Sequence, residues 1–248
     1  MAKEEGEKRI LFITDIHAPY HDHDALHRAV DFAHTKDIDE VIVSELPDLY
    51  GISSWLRDPL AEPFYEELEK AKAIGTWIGN EFAACDITYL VGNHEERINT
   101  YTATMMPEMA GMEALSIPNQ LGINELHWNY VDNKVALQEG RECLQRGKLT
   151  ILHGHEIKMP WGAINLAKIL YERARCNVIA GHHHRKQEWQ IRKLNGKYEG
   201  CWMVGCLCDL HPEYRPHNDW VHGFAIIHLY ENGHFSVENR QIIEGKIL

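Results

Sequence analysis

The strongest constraint on this chain is a pattern that occurs five times: a short apolar run, rich in β-branched residues, that stops at polar residues. The runs are 10–13, 41–43, 87–91, 149–152 and 178–180. Each has the length of a strand covered on both faces, where no alternation of apolar and polar residues is needed. Helical patterns lie between them. Leu26, Ala29, Val30 and Ala33 share one face, and Phe64, Leu68, Ala71, Ile74 and Ile78 share a longer one. The longer helix is entered at Asp58-Pro59 or at Pro63, and a third helix is expected from Pro160 to about Arg175. Strands that alternate with helices imply an α/β layered fold.

Beyond residue 184 the pattern changes to hairpins. Segments 187–194 and 197–207 flank Asn195-Gly196, and segments 225–230 and 235–243 flank Asn232-Gly233. Asn-Gly is a strong tight-turn signal, so the last quarter reads as antiparallel sheet. With no linker or repeat, residues 9–248 form one domain behind a charged, frayed tail at 1–8. Residues 101–147 show little periodicity and read as a helical insertion over the site.

The polar residues at the end of each run are suited to binding metal. The first gives Asp15 and His17, the second Ser44-Glu45 and Asp48, and the third Gly92-Asn93-His94-Glu95. The fourth gives His153-Gly154-His155, and the fifth Gly181 with His182, His183 and His184 after it. Ligands of open α/β sheets bind beyond the carboxyl ends of strands, so five such ends converge on one rim. Clustered imidazole, drawn from 17 histidines in all, is the donor that transition-metal chemistry calls for. Each motif alone is weak; five in order are not.

At these residues the chain resembles the calcineurin-like metallophosphoesterase superfamily, whose signature runs D-x-H, G-D-x-x-D, G-N-H-[DE], a later H, and G-H-x-H. The resemblance covers about residues 9–184. It implies two stacked mixed β-sheets flanked by helices, a four-layer α/β/β/α sandwich whose second sheet takes the hairpins. It further implies two divalent transition-metal ions, Mn foremost, with Fe, Zn or Ni as alternatives. Asp15, His17 and His184 would hold one ion, Asn93, His153 and His182 the other, and Glu45 would bridge them. A metal-bridging hydroxide would attack phosphorus, with His94 as the catalytic acid or charge stabiliser. His155 and Arg185 are candidates for holding substrate phosphate.

One departure bears on activity. Where the family has G-D, this chain has Ser44-Glu45. The carboxylate is one methylene longer, and Ser narrows the backbone choices if that position needs positive φ. From sequence, Glu45→Asp is expected to raise activity.

The net charge of −12 argues against a surface that coats nucleic acid. Residues 168–197 carry eight Lys or Arg against two Glu, while residues 1–167 carry 14 basic and 28 acidic side chains. Any nucleic-acid substrate is therefore short or single-stranded. Cys206 and Cys208 form a C-x-C pair without a second pair at zinc-finger spacing, and read as buried thiols. Scattered cysteines, no membrane-length apolar stretch and no signal-like N-terminus point to the cytoplasm. The leading expectation is a phosphodiesterase acting on short nucleic acid or a cyclic nucleotide. The alternatives are a phosphomonoesterase or protein phosphatase, or an impaired metal-binding relative. Against a phosphoprotein phosphatase, Asp48 is followed by Leu49-Tyr50 where those enzymes carry Arg.

Overall fold

The computed structural model describes residues 3–55, 58, 60–160, 162–213 and 215–248. In chain order the elements are β1 (Lys8–Thr14), α1 (His23–His34), β2 (Glu40–Ser44), α2 (Phe64–Glu81), β3 (Asp86–Leu90), α3 (Glu96–Met105) and α4 (Ile117–Gln120). Next come β4 (Asn129–Val131), α5 (Asn133–Gln138), β5 (Gln145–Arg146), β6 (Leu149–Leu152), α6 (Leu166–Ala174) and β7 (Val178–Ala180). The chain ends in β8 (Gln187–Arg192), β9 (Tyr198–Met203), β10 (His222–Leu229), β11 (Phe235–Ile243) and β12 (Lys246–Ile247).

Two mixed sheets result. One has the order β12-β11-β10-β1-β2-β3-β4 and the other β5-β6-β7-β9-β8. The parallel strands β1, β2 and β3 lie side by side in the first sheet, as β6 and β7 do in the second. Alternate side chains of the central strands face opposite ways, which is why their runs are apolar throughout. Ile10, Phe12 and Ile42 pack with Ile151, Ile179 and Trp202 between the sheets. Leu11, Ile13, Val41 and Val43 pack outward with Leu26 and Val30 of α1 and Leu68 and Ile78 of α2. On the far side, Val178, Ala180 and Met203 cover Leu166 and Leu170 of α6. Each such buried side chain contributes about 1.5–3 kcal/mol.

Three boundaries differ from the sequence reading. The third helix begins at Leu166, because Asn165 accepts the Lys168 amide at 3.0 Å and caps it there. Residues 101–147 are not only helical: they supply the edge strands β4 and β5, one to each sheet. The chain is already tied down before residue 9, since Glu7 is buried against Arg9 and Lys3 bonds Asp39 at 2.6 Å. Met1 and Ala2 of the expected tail lie outside the described residues, as does Pro59; α2 is entered at Pro63. Among the described residues no helix is long and apolar enough to cross a membrane.

Glu67 of α2 is fully buried and accepts the Tyr50 and Gly51 amides, each at 3.0 Å, fixing the turn just after Asp48. Burial pushes its carboxyl up from the ordinary 4.5 to about 7. The folded chain therefore holds this proton more tightly than the unfolded chain, and stability falls as pH rises from 4.5 to 7. The group's share of that loss is roughly 3 kcal/mol. In Glu67→Gln, urea midpoints between pH 5 and 8 should lose this part of the parent's decline. An identical slope in both proteins would refute it.

Candidate metal centre

The carboxyl ends of β1, β2 and β3 meet those of β6 and β7 at one edge of the sandwich, and the polar residues after them turn sharply. Asp15, His17, Glu45, His182 and His184 all adopt left-handed backbone, with φ between 52° and 68°. Such a conformation costs a non-glycine residue about 1–3 kcal/mol, and it persists where neighbours over-determine it. Here they do. The Asp15 amide donates to Ser44 O at 3.1 Å, Ile16 N to Glu45 O at 3.0 Å, and Leu207 N to Asp15 O at 3.0 Å. Ser44 itself continues β2; the left-handed position is Glu45, so Ser in place of Gly costs the backbone nothing.

The motif glycines have a steric reason. A Cβ on Gly92 would stand 2.6 Å from Glu45 Oε1, and one on Gly181 would strike Asp15 Oδ2 and Thr14 Oγ1. Both contacts are closer than real side chains make, so these glycines leave room for the two carboxylates. Gly181→Ala is expected to push Asp15 aside and to lose metal while the fold survives. Elemental analysis beside far-ultraviolet dichroism reads this, and full metal content would contradict it.

The side chains converge in two overlapping groups. In the first, Asp15, His17, Glu45 and His184 are all buried, with one donor atom from each lying within 4.8 Å of the others. His184 Nε2 is 3.2 Å from Asp15 Oδ1 and 3.3 Å from His17 Nε2. Glu45 Oε2 lies 3.2 Å from His17 Nε2. In the second group, His153 Nε2 lies 3.2 Å from Asn93 Oδ1 and 3.3 Å from Glu45 Oε1. Glu45 thus shows one oxygen to each group. The His182 ring stands with its centroid 5.2 Å from that of His153, and its amide donates to both Asp15 oxygens.

Burial works against ionising Asp15, yet His184, His153 and His17 hold it well below the usual carboxylate range. Glu45 goes the other way: burial and the charges of Asp15 and Glu95 push it up. Burial keeps His153 neutral, and burial with His183 brings His182 down to about 3. Burial opposes charge on His184 as well, yet Cys206 and Asp15 push it well above its ordinary value, so a metal there would displace a proton. Imidazoles among buried carboxylates are the mixed N and O donor set of a divalent transition metal. A cation among these carboxylates would offset their mutual repulsion. The residues present fit such ions.

Beside the groups, His94 keeps Nδ1 2.8 Å from Asp48 O and Nε2 3.0 Å from Arg97 Nη2. Burial and the neighbouring His17 lower His94 to about 4. Burial opposes the charge on Asp48, but hydrogen bonds from His17 and His94 hold it well below its ordinary value. Glu95 is buried and is bonded by Tyr89 OH and the Leu46 and Gly92 amides, which pins the third strand's loop to the second's. His155 Nε2 lies 3.1 Å from Glu96 Oε1, with its ring centroid 5.2 Å from that of His153. Arg185, expected near substrate, is engaged by Asp219 and by Ala163 O. The sequence reading missed Arg97 altogether, and it named Ser44 and Cys208 without the imidazoles they meet. Arg97 could have been found, lying one helical turn past His94. That Ser44 lies 3.1 Å from His153 Nδ1 and Cys208 3.7 Å from His184 Nδ1 could not have been read from sequence.

No protein-family model matches the chain, and no curated protein matches it. Among solved structures, vacuolar protein sorting 29 of Cryptosporidium parvum is similar over 98% of this chain and 95% of its own, at 15% identity and a TM-score of 0.51. The fold is the calcineurin-like sandwich. A single mutant of the Entamoeba histolytica protein aligns over 97% of this chain and 96% of its own, at 14% identity and a TM-score of 0.48. The NAD nucleotidase of Haemophilus influenzae aligns over 98% of this chain and 53% of its own, at 10% identity and a TM-score of 0.38.

Proposed function

We propose that this chain is a dinuclear metal-dependent phosphoesterase that hydrolyses a phosphodiester. The observation that carries the reading is Glu45, whose two oxygens reach the two imidazole groups separately. Asp15, His17 and His184 would hold one ion, Asn93, His153 and His182 the other, and Glu45 would serve both. When bound, two such ions activate a water as nucleophile and clamp the phosphate oxygens, a role Mn²⁺ fills well.

The chain's own residues supply the rest. His94 is neutral at rest and donates Nδ1–H to Asp48 O. A phosphoryl group entering beside it brings negative charge, which raises the ring's pKa toward the range where it can protonate a leaving oxygen. Arg97, held by Asp48 and touching His94, places a guanidinium where a phosphate oxygen can be gripped. Asp48 orients both rings, His17 through Nδ1 at 3.2 Å and His94 through its carbonyl.

Charge sets the substrate length. Within the basic stretch Arg185 is paired with Asp219, Lys168 with Glu172 and Lys193 with Glu199. The rest of the stretch is a local basic patch beside the 28 acidic and 14 basic side chains of residues 1–167, which would repel a long polyanion, and this favours a short or single-stranded nucleic acid, or a cyclic nucleotide. The test measures Mn²⁺-dependent hydrolysis of a chromogenic diester, the matching monoester, a single-stranded oligonucleotide and long duplex DNA over a salt series. The diester should be cleaved fastest, and the duplex poorly. A faster monoester would replace this reading with a phosphomonoesterase, and tight duplex binding with a steep salt slope would overturn the charge argument. Two bound ions without any hydrolysis would leave a metal-binding protein that is not an enzyme.

A further inference from the structure

Three imidazoles of the cleft share one arrangement. Each turns Nε2 toward the carboxylates and offers Nδ1 to a different partner: His17 to Asp48 Oδ2 at 3.2 Å, His153 to Ser44 Oγ at 3.1 Å, and His184 to Cys208 Sγ at 3.7 Å. The contact made by the second nitrogen of a metal-binding imidazole selects its tautomer and fixes its plane. We propose that Ser44 and Cys208 are positioning residues, Ser44 for His153 and Cys208 for His184, so that each governs one of the two ions. The inference rests on the dinuclear reading above.

Both residues are built into the frame. Ser44 is fully buried at the end of β2, in register with Thr14 and Leu90, so its hydroxyl has a fixed origin. Cys208 is 4% exposed, forms an isolated bridge with His21, and has its carbonyl 2.9 Å from His222 Nε2. Its neighbour Leu207 donates to Asp15 O at 3.0 Å and accepts the Asp22 amide at 2.8 Å, which ties this loop to the loop carrying Asp15 and His17. The sulfur meets His184 at Nδ1, 3.7 Å away, the nitrogen that faces away from the carboxylates. It falls within 4.8 Å of donors on His17 and His184, but it does not join the close group that includes Asp15 and Glu45. The hydroxyl where the family has glycine thereby acquires a role, and so does Cys208 of the C-x-C pair that reads from sequence as buried thiols. With Nδ1–H given to oxygen or sulfur, Nε2 keeps its lone pair for a metal.

The test uses the full chain crystallised with limiting Mn²⁺, reading the anomalous occupancy at each position. Cys208→Ala should lower occupancy beside Asp15, His17 and His184 and spare the ion beside Asn93 and His153. Ser44→Ala should do the reverse. Each should weaken the affected site about 10–100-fold, and Cys208→Ser should restore most of the loss. Equal loss at both positions, or none, would overturn the proposal, and a sulfur-to-metal charge-transfer band with Co²⁺ would make Cys208 a ligand instead. A second readout needs no ion. In the metal-free parent, ¹⁵N spectra at one pH should show His153 and His184 with Nδ1–H contacts, each lost in its own variant only; unchanged spectra would refute the assignment. A parent that binds Mn²⁺ at neither position would refute the dinuclear reading, while the spectra still decide the roles of Ser44 and Cys208.

Discussion

Glu45→Asp is expected to leave one ion per chain and to lower diester turnover by about 100-fold or more, since a shift of about 1 Å at a reacting centre has that effect. The reason is reach. Glu45 meets His17 Nε2 through one oxygen at 3.2 Å and His153 Nε2 through the other at 3.3 Å. Removing a methylene withdraws both oxygens by about 1.5 Å, one carbon–carbon bond. The backbone cannot follow, because Glu45 O is held by the Ile16 amide at 3.0 Å and its φ is already 52°. The geometry thus argues against the gain expected from sequence: the cleft is fitted to glutamate, with Gly92 leaving space for its longer stem. Elemental analysis and turnover on the same preparations decide between the two. Two ions with equal or higher activity would show that aspartate serves as well and that Glu45 is not the element joining the groups.

His94→Ala is the complementary case, with chemistry lost and metal kept. A general acid contributes about 10²–10⁴-fold, and turnover should fall by that amount. Metal content should hold, because the contact between residue 94 and Glu45 Oε1 is the backbone amide, at 2.9 Å, which alanine retains. A competing assignment exists in the geometry, since His17, Asp48 and His94 also bring donors within 4.8 Å of one another. If the variant loses an ion in step with activity, that group is a metal site and His94 is a ligand.

Much of the fold was legible because burial on both faces of central strands writes itself into sequence as unbroken apolar runs. Residues 10–13, 41–43 and 178–180 fall within β1, β2 and β7 for that reason. The Asn-Gly turns located both hairpins equally well. Where a single cap decides, the reading slipped: Asn165 starts α6 six residues after the proline that had seemed to open it. Residues 101–147 lacked a signal because β4 and β5 are only three and two residues long, too short to show a period.

The sequence by itself determined that acidic, amide and imidazole donors stand after five strand ends, because strand direction and the polar residue after each run are local properties. It also marked Gly92 and Gly181, though not the carboxylates they make room for. Tertiary structure alone decided which donors meet. Glu45 faces His153 across 108 residues, His184 faces Asp15 across 169, and no local pattern encodes the side on which a left-handed turn will present a carboxylate. The partners that hold each ring are decided the same way. Asp48, Ser44 and Cys208 become equivalent only once two sheets are stacked, since a hydrogen bond depends on distances of a few tenths of an ångström that packing sets. Arg185 shows the converse: beside His184 in sequence, it is paired with Asp219 and bonded to Ala163 O.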